Sequence, residues 1–352
     1  MALTQAQRAI LEKARALSGG GQGVALSGGA CAFLVAVIAR DLGASTTFPE
    51  LPTDAPEFFS PGPLSKLEVG GHDCESLFER LVVLDPNADT YFACLAALHK
   101  ARLKYERILQ TQPIPTIDQV GPRGLLQFGS MSARALTGFL LWRKWMFDID
   151  NRAGQETGYL FEPIIAAAIG GVPASAKKSP IRRKSQKNKG RQVDCLRGNR
   201  AYEFKIRVTI AASGQGRWRE ELDFPVDCRS SGYIPVLVVL DPTKNPKLDE
   251  LARAFRDQKG EVYIGEDAWK HLEGTAGPTM GKFLKKYVHG PIAALLEELP
   301  EQMPEIVLAM SAEVLTITVE AESFSIARVM PPESELEDIE DEMPEDVDEG
   351  GP

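Results

Sequence analysis

Apolar positions recur at helical spacing from Thr4 to Leu17, with Thr4 placed to cap the first turn and Gly19 to end it. Ala30 to Ala39 is a continuous apolar run. It is far shorter than the ~20 residues a bilayer span needs, so it reads as a buried helix. The glycines between Gly19 and Gly29 are not followed by Gly-Lys-Ser or Gly-Lys-Thr, which favours a flexible turn over a phosphate loop. A Pro-rich connector follows from Pro49 to Pro63. Asp89 to Gln110 and Ser132 to Phe147 return to helical periodicity. Residues 1–150 are therefore expected to be mainly helical.

The pattern then changes. Glu156 to Ile169 predicts a helix that Pro163 must kink or restart. Gln192 to Leu196 and Ala201 to Thr209 are strand-like and are joined by Arg197-Gly198-Asn199-Arg200, which is hairpin punctuation. Phe224 to Ser231 predicts a helix. Ile234 to Leu240 is rich in β-branched residues and stops at Asp241-Pro242, as a buried strand would. A helix over Lys247 to Gln258, a short strand over Glu261 to Ile264, a helix over Thr279 to Tyr287 and a hairpin over Glu313 to Val329 complete the pattern. Residues 151–330 thus predict an α/β (α+β) unit in which a small mixed sheet is flanked by helices.

Composition narrows the class. With 43% hydrophobic and 25% charged residues, the chain has a globular balance. Cys31, Cys74, Cys94, Cys195 and Cys228 form no CxxC pair, which argues against a disulfide scaffold or a zinc module and fits a reducing cytoplasm. The four histidines are scattered, so a histidine-rich metal site is not expected. No segment reads as membrane-spanning.

The charge is unevenly spread. Eleven acids and no Lys or Arg lie between Glu333 and Glu349, so residues 331–352 are expected to be a disordered acidic tail. The rest of the chain is nearly neutral. Lys177 to Arg191 is the opposite extreme, with eight cations and no acid in fifteen residues. Such a run is either a solvated loop or an arm that contacts phosphates and releases their counterions. Its position just before the hairpin favours the arm, with Lys184, Lys187, Lys189 and Arg191 as candidate DNA contacts.

The chemistry concentrates in that hairpin, Gln192-Val193-Asp194-Cys195 followed by Tyr202-Glu203-Phe204-Lys205-Ile206. Alternate strand residues share a face. Glu203 and Lys205 then point one way, and Tyr202, Phe204 and Ile206 point into apolar packing. The tight turn can bring Asp194 beside Glu203. Two carboxylates at one point repel unless a cation joins them, and hard oxygen ligands suit Mg²⁺. Lys205 would add a fixed positive charge able to hold a water and to stabilise charge developing on phosphorus.

This arrangement resembles the PD-(D/E)XK nuclease superfamily. The resemblance implies a mixed sheet flanked by helices. It also implies metal ligation by Asp194, Glu203 and the carbonyl of Phe204, with Lys205 at the nucleophile. The proline that often precedes the aspartate is replaced by Val193. The family often adds an acid from the preceding helix. Gly158-Tyr159-Leu160-Phe161-Glu162 makes Glu162 the candidate, with Glu156 in reserve.

The wider layout resembles type II restriction endonucleases, most closely the ApaLI-like group. The residues that carry this likeness are Ile117-Asp118-Gln119-Val120-Gly121-Pro122-Arg123-Gly124, the Gly158 to Glu162 segment and the hairpin. The group implies Mg²⁺-dependent hydrolysis of double-stranded DNA at a six-base palindrome, GTGCAC. A palindrome demands a two-fold homodimer. Gln215, Arg217 and Arg219 are the candidate base readers, since Arg can bridge guanine and Gln adenine. Two other functions stay open on the residues: a structure-specific repair or junction nuclease, and a DNA-binding module without catalysis.

Overall fold

The computed structural model describes residues 2–17, 23–52, 54–186, 188–206, 215–241, 243, 246–298 and 300–329, with the backbone alone at 153–159 and 215–217. The acidic tail, Lys187 and the end of the second expected strand lie outside those residues.

Helix α1 (Gln5–Arg15) opens on Thr4, whose side chain accepts from the Gln7 N–H while the Gln7 side chain accepts from the Thr4 N–H. This reciprocal cap satisfies two orphan donors at once. Helix α2 (Gly28–Asp41) is buried at every position from Ala30 to Ala39, as expected of a helix that is apolar all round. Helices α3 (Cys74–Leu84) and α4 (Ala88–Thr111) pack beside it, and α5 (Ile117–Gly124) leads into α6 (Ala133–Ala168). Helix α6 continues through Pro163 and across residue 150. The boundary expected there therefore falls inside a helix. One hydrophobic cluster joins Leu3 and α2 on one side to Val288 on the other.

The sheet comprises β1 (Val172–Ala174), β2 (Val193–Arg197), β3 (Arg200–Lys205), β4 (Ile234–Val239) and β5 (Glu261–Ile264), hydrogen-bonded in that order. The first two pairings are antiparallel and the last two parallel, so the sheet is mixed. Gly198, at φ 57°, opens the two-residue turn between β2 and β3, a conformation that costs glycine little. Helix α7 (Gln215–Ser230) connects β3 to β4, and α8 (Pro246–Asp257) connects β4 to β5. These crossovers are what parallel neighbours require.

Each face of the sheet is covered. Cys195, Tyr202, Phe204, Val236 and Val238 pack with α2, α4, α6 and helix α9 (Glu266–Leu284), which bends at Gly277. Ala201, Leu237 and Val239 pack on the opposite face against Phe224 and Cys228 of α7 and Leu251 and Phe255 of α8. Strand β4 reads as an unbroken apolar run because it is buried on both sides. Beyond α10 (Gly290–Glu297), the expected hairpin is a three-stranded antiparallel sheet of β6 (Ile306–Met310), β7 (Val314–Val319) and β8 (Glu322–Ala327). Among the described residues, no helix is long and apolar enough to cross a membrane.

Candidate active site

Strands β2 and β3 pair Cys195 with Tyr202 and Leu196 with Ala201. Continuing that register sets Asp194 opposite Glu203, and opposed residues of an antiparallel pair share a face. Tyr202, Phe204 and Cys195 are buried on the other face, as the alternation predicts.

Asp194 Oδ2 accepts a hydrogen bond from the Phe204 N–H at 2.8 Å. Because the N–H and C=O of one extended residue face the same neighbour, the Phe204 carbonyl also points towards the Asp194 side. Lys205 Nζ lies 2.9 Å from Glu203 Oε1 and 3.3 Å from Glu221 Oε1. Glu221 stands on α7, which covers this face of the sheet. Glu162 enters from α6, whereas only the backbone of Glu156 is described.

The electrostatics are those of crowded acids. Burial, then the carboxylates of Glu203 and Glu162, push the Asp194 carboxyl well above the usual carboxylate range, against the pull of the Phe204 N–H and Lys205. Burial and the charge of Glu203 raise Glu162 in the same way. Burial disfavours the Lys205 ammonium, but Glu203 and Glu221 outweigh it and hold that group above the usual lysine range. Among the described residues, no three His, Cys, Asp or Glu side chains form a ready-made cation site. Glu203 is engaged by Lys205, and Asp194 by the Phe204 N–H. The donor chemistry nonetheless fits a hard cation: carboxylates of Asp194, Glu203 and Glu162 that repel one another, and a strand carbonyl on the Asp194 side.

The basic run is more ordered than its charge suggests. Arg182 and Gly190 form a β-bridge, and the Arg183 N–H donates to the Lys189 carbonyl. Lys177, Arg182, Arg183 and Lys189 line an open groove of about 540 Å³ together with Glu220. Lys184 and Lys189 are exposed. Arg191 departs from expectation. It is buried, its guanidinium lies 3.0 Å from Asp227 Oδ2 and it stacks over Phe224. Asp227 also accepts from the Lys184 N–H at 2.7 Å. Arg191 therefore anchors the loop to α7 and is not available to a phosphate. Arg219 is exposed on α7, and of Gln215 and Arg217 only the backbone, in the first turn of that helix, is described.

Sequence reasoning missed Glu221 and Asp227. Both come from α7, and no spacing relates a helix residue to the strand lysine or loop arginine it meets.

A family model described as "ApaLI-like restriction endonuclease" matches residues 66–289, which include every residue of this site. Among curated proteins, the chain is 51% identical over 233 residues to "Type II restriction enzyme ApaLI" from Acetobacter pasteurianus. The match covers 64% of this chain and 62% of that enzyme, so the chain spans under two thirds of its relative's length. No solved structure matches.

Proposed function

The chain belongs to the ApaLI-like restriction endonuclease family, and from that premise we propose that it is a type II restriction endonuclease that hydrolyses phosphodiester bonds of double-stranded DNA with Mg²⁺. The observation that carries this reading is the ammonium of Lys205 held 2.9 Å from Glu203 on a strand paired with the one that bears Asp194. The mixed sheet is proposed to be a PD-(D/E)XK core.

Asp194, Glu203 and the Phe204 carbonyl would hold the cation, with Glu162 as a supporting acid. When bound, the cation supplies a Lewis acid for the phosphate and makes a water more acidic. Lys205 orients the attacking water by hydrogen bonding and faces the phosphoryl oxygens as negative charge builds on them. Its ammonium is already fixed by carboxylates, so little reorganisation accompanies the reaction. The groove lined by Lys177, Arg182 and Lys189 suits a phosphate backbone. Lys184, Lys187 and Lys189 are the proposed phosphate contacts, and Gln215, Arg217 and Arg219 the proposed base readers. The proposed target is the palindrome GTGCAC, cut by a homodimer whose two copies each address one strand.

The test is digestion of a sequenced plasmid with Mg²⁺ followed by end sequencing. Discrete fragments ending within GTGCAC are expected. Cleavage only of branched DNA would replace this reading with a structure-specific nuclease, and binding without metal-dependent cleavage would replace it with a binding module.

A further inference from the structure

We propose that Glu221 is a positioning residue that holds Lys205 in place when Glu203 turns to a cation. The inference rests on the reading of Lys205 and Glu203 given above. Lys205 Nζ is shared between Glu203 Oε1 at 2.9 Å and Glu221 Oε1 at 3.3 Å, and all three side chains are less than a quarter exposed. The two carboxylates belong to different elements. Glu203 shares β3 with Lys205, whereas Glu221 hangs from α7 above that strand.

In the proposed site Glu203 has two competing demands. A carboxylate that serves a divalent cation has less charge to offer an ammonium, and the cation itself repels that ammonium. With Glu203 as its sole partner, Lys205 would be displaced by the cation it must work beside. Glu221 removes the conflict by supplying a second anion that needs no part in ligation.

Packing does not account for Glu221. Its Oε2 is buried and has no hydrogen-bond partner among the described residues. A half-satisfied buried carboxylate costs stability, and an apolar residue would serve helix packing better. Lys205 is the one cation that the described residues bring to it.

The test uses the full chain with Glu221→Gln, Glu221→Asp, Lys205→Met and the Lys205→Met/Glu221→Gln double variant. Two quantities are read: Mg²⁺ affinity by calorimetry without DNA, and single-turnover cleavage at saturating DNA. Glu221→Gln is expected to weaken Mg²⁺ binding several-fold, because Lys205 falls back on Glu203. It should slow cleavage on the order of 10–100-fold with DNA affinity unchanged. Glu221→Asp should lie closer to the wild type in both. With Lys205→Met already present, Glu221→Gln should leave Mg²⁺ affinity unchanged. An equal loss of Mg²⁺ affinity in that background would make Glu221 a direct ligand and overturn the inference. Wild-type cleavage by Glu221→Gln beside an inactive Lys205→Met would also overturn it while leaving the nuclease reading intact. Wild-type cleavage by Lys205→Met would sink the nuclease reading itself.

Discussion

The carboxylate of Asp194 on β2 is fastened to the backbone of β3 by the N–H of Phe204, 2.8 Å from its Oδ2. That single bond fixes one acid beside Glu203 through one oxygen, and the other oxygen is the one the proposed function assigns to the cation. The same residue that buries its ring to align the strand therefore also orients the acid across the turn. Packing and chemistry share one backbone unit.

The crowding of acids carries a pH signature. Asp194 is held above the ordinary carboxylate range by burial, Glu203 and Glu162. The folded state thus binds this proton more tightly than the unfolded chain. Without metal, stability should fall as pH rises from the ordinary Asp range through that of Asp194. Asp194→Asn keeps an oxygen for the Phe204 N–H and removes the charge. Its chelator-treated form should melt higher than the wild type near pH 8, by about 2–4 °C for each ~1 kcal/mol relieved. The gap should close towards pH 4. Mg²⁺ should raise the melting temperature of the wild type more than that of the variant.

A second titration runs the other way. His99 is buried between Phe33 and Phe58, and burial, then Arg102, lowers its pKa to about 4. The unfolded chain takes up this proton first, so stability should fall as pH drops from about 6.5 towards 4, by on the order of 3 kcal/mol. Denaturant melts of His99→Gln across that range should show a shallower acid limb. An unchanged limb would mean that His99 is protonated in the fold.

Arg191 and Asp227 should behave as core residues. Asp227→Ala leaves a buried guanidinium and the Lys184 N–H without their acceptor, and should cost about 3–5 kcal/mol in urea unfolding. A loss below about 1 kcal/mol, the range of an exposed pair, would contradict the buried ion pair.

Lys184 and Lys189 should behave oppositely. Replacing both by Gln should leave the melting temperature within about 1 °C of the wild type, as expected of exposed side chains. DNA binding should weaken for all sequences, and the slope of log affinity against log salt should flatten by about two if each touches a phosphate. A shifted cleavage sequence with an unchanged slope would assign them to base reading instead.

Much of this site was legible in the sequence because strand alternation is a strict code. Once Tyr202 and Phe204 are on one face of β3, Glu203 and Lys205 must lie on the other. The Gly198 turn then sets the register that brings Asp194 opposite. Helix α6 was legible only in pieces, since Pro163 reads as a breaker until tertiary packing carries the helix past it. Strand β1 is three residues long and contains Pro173, which leaves no periodicity to detect. The basic run showed eight cations but not which one folds inward, because the partner that selects Arg191 lies on α7. Glu221 was hidden for the same reason: its relation to Lys205 exists only once α7 is laid over β3.

The central claim is that Asp194, Glu203 and Lys205 form one hydrolytic site. The most direct test is the single-turnover rate of Mg²⁺-dependent cleavage of double-stranded DNA by Asp194→Ala, Glu203→Ala and Lys205→Ala, each shown to bind the same DNA by gel shift. Each variant should lose roughly 10²–10³-fold or more in rate, the loss being larger where a cation ligand goes, while DNA binding persists. A variant that binds and cuts at the wild-type rate would remove its residue from the site and contradict the account.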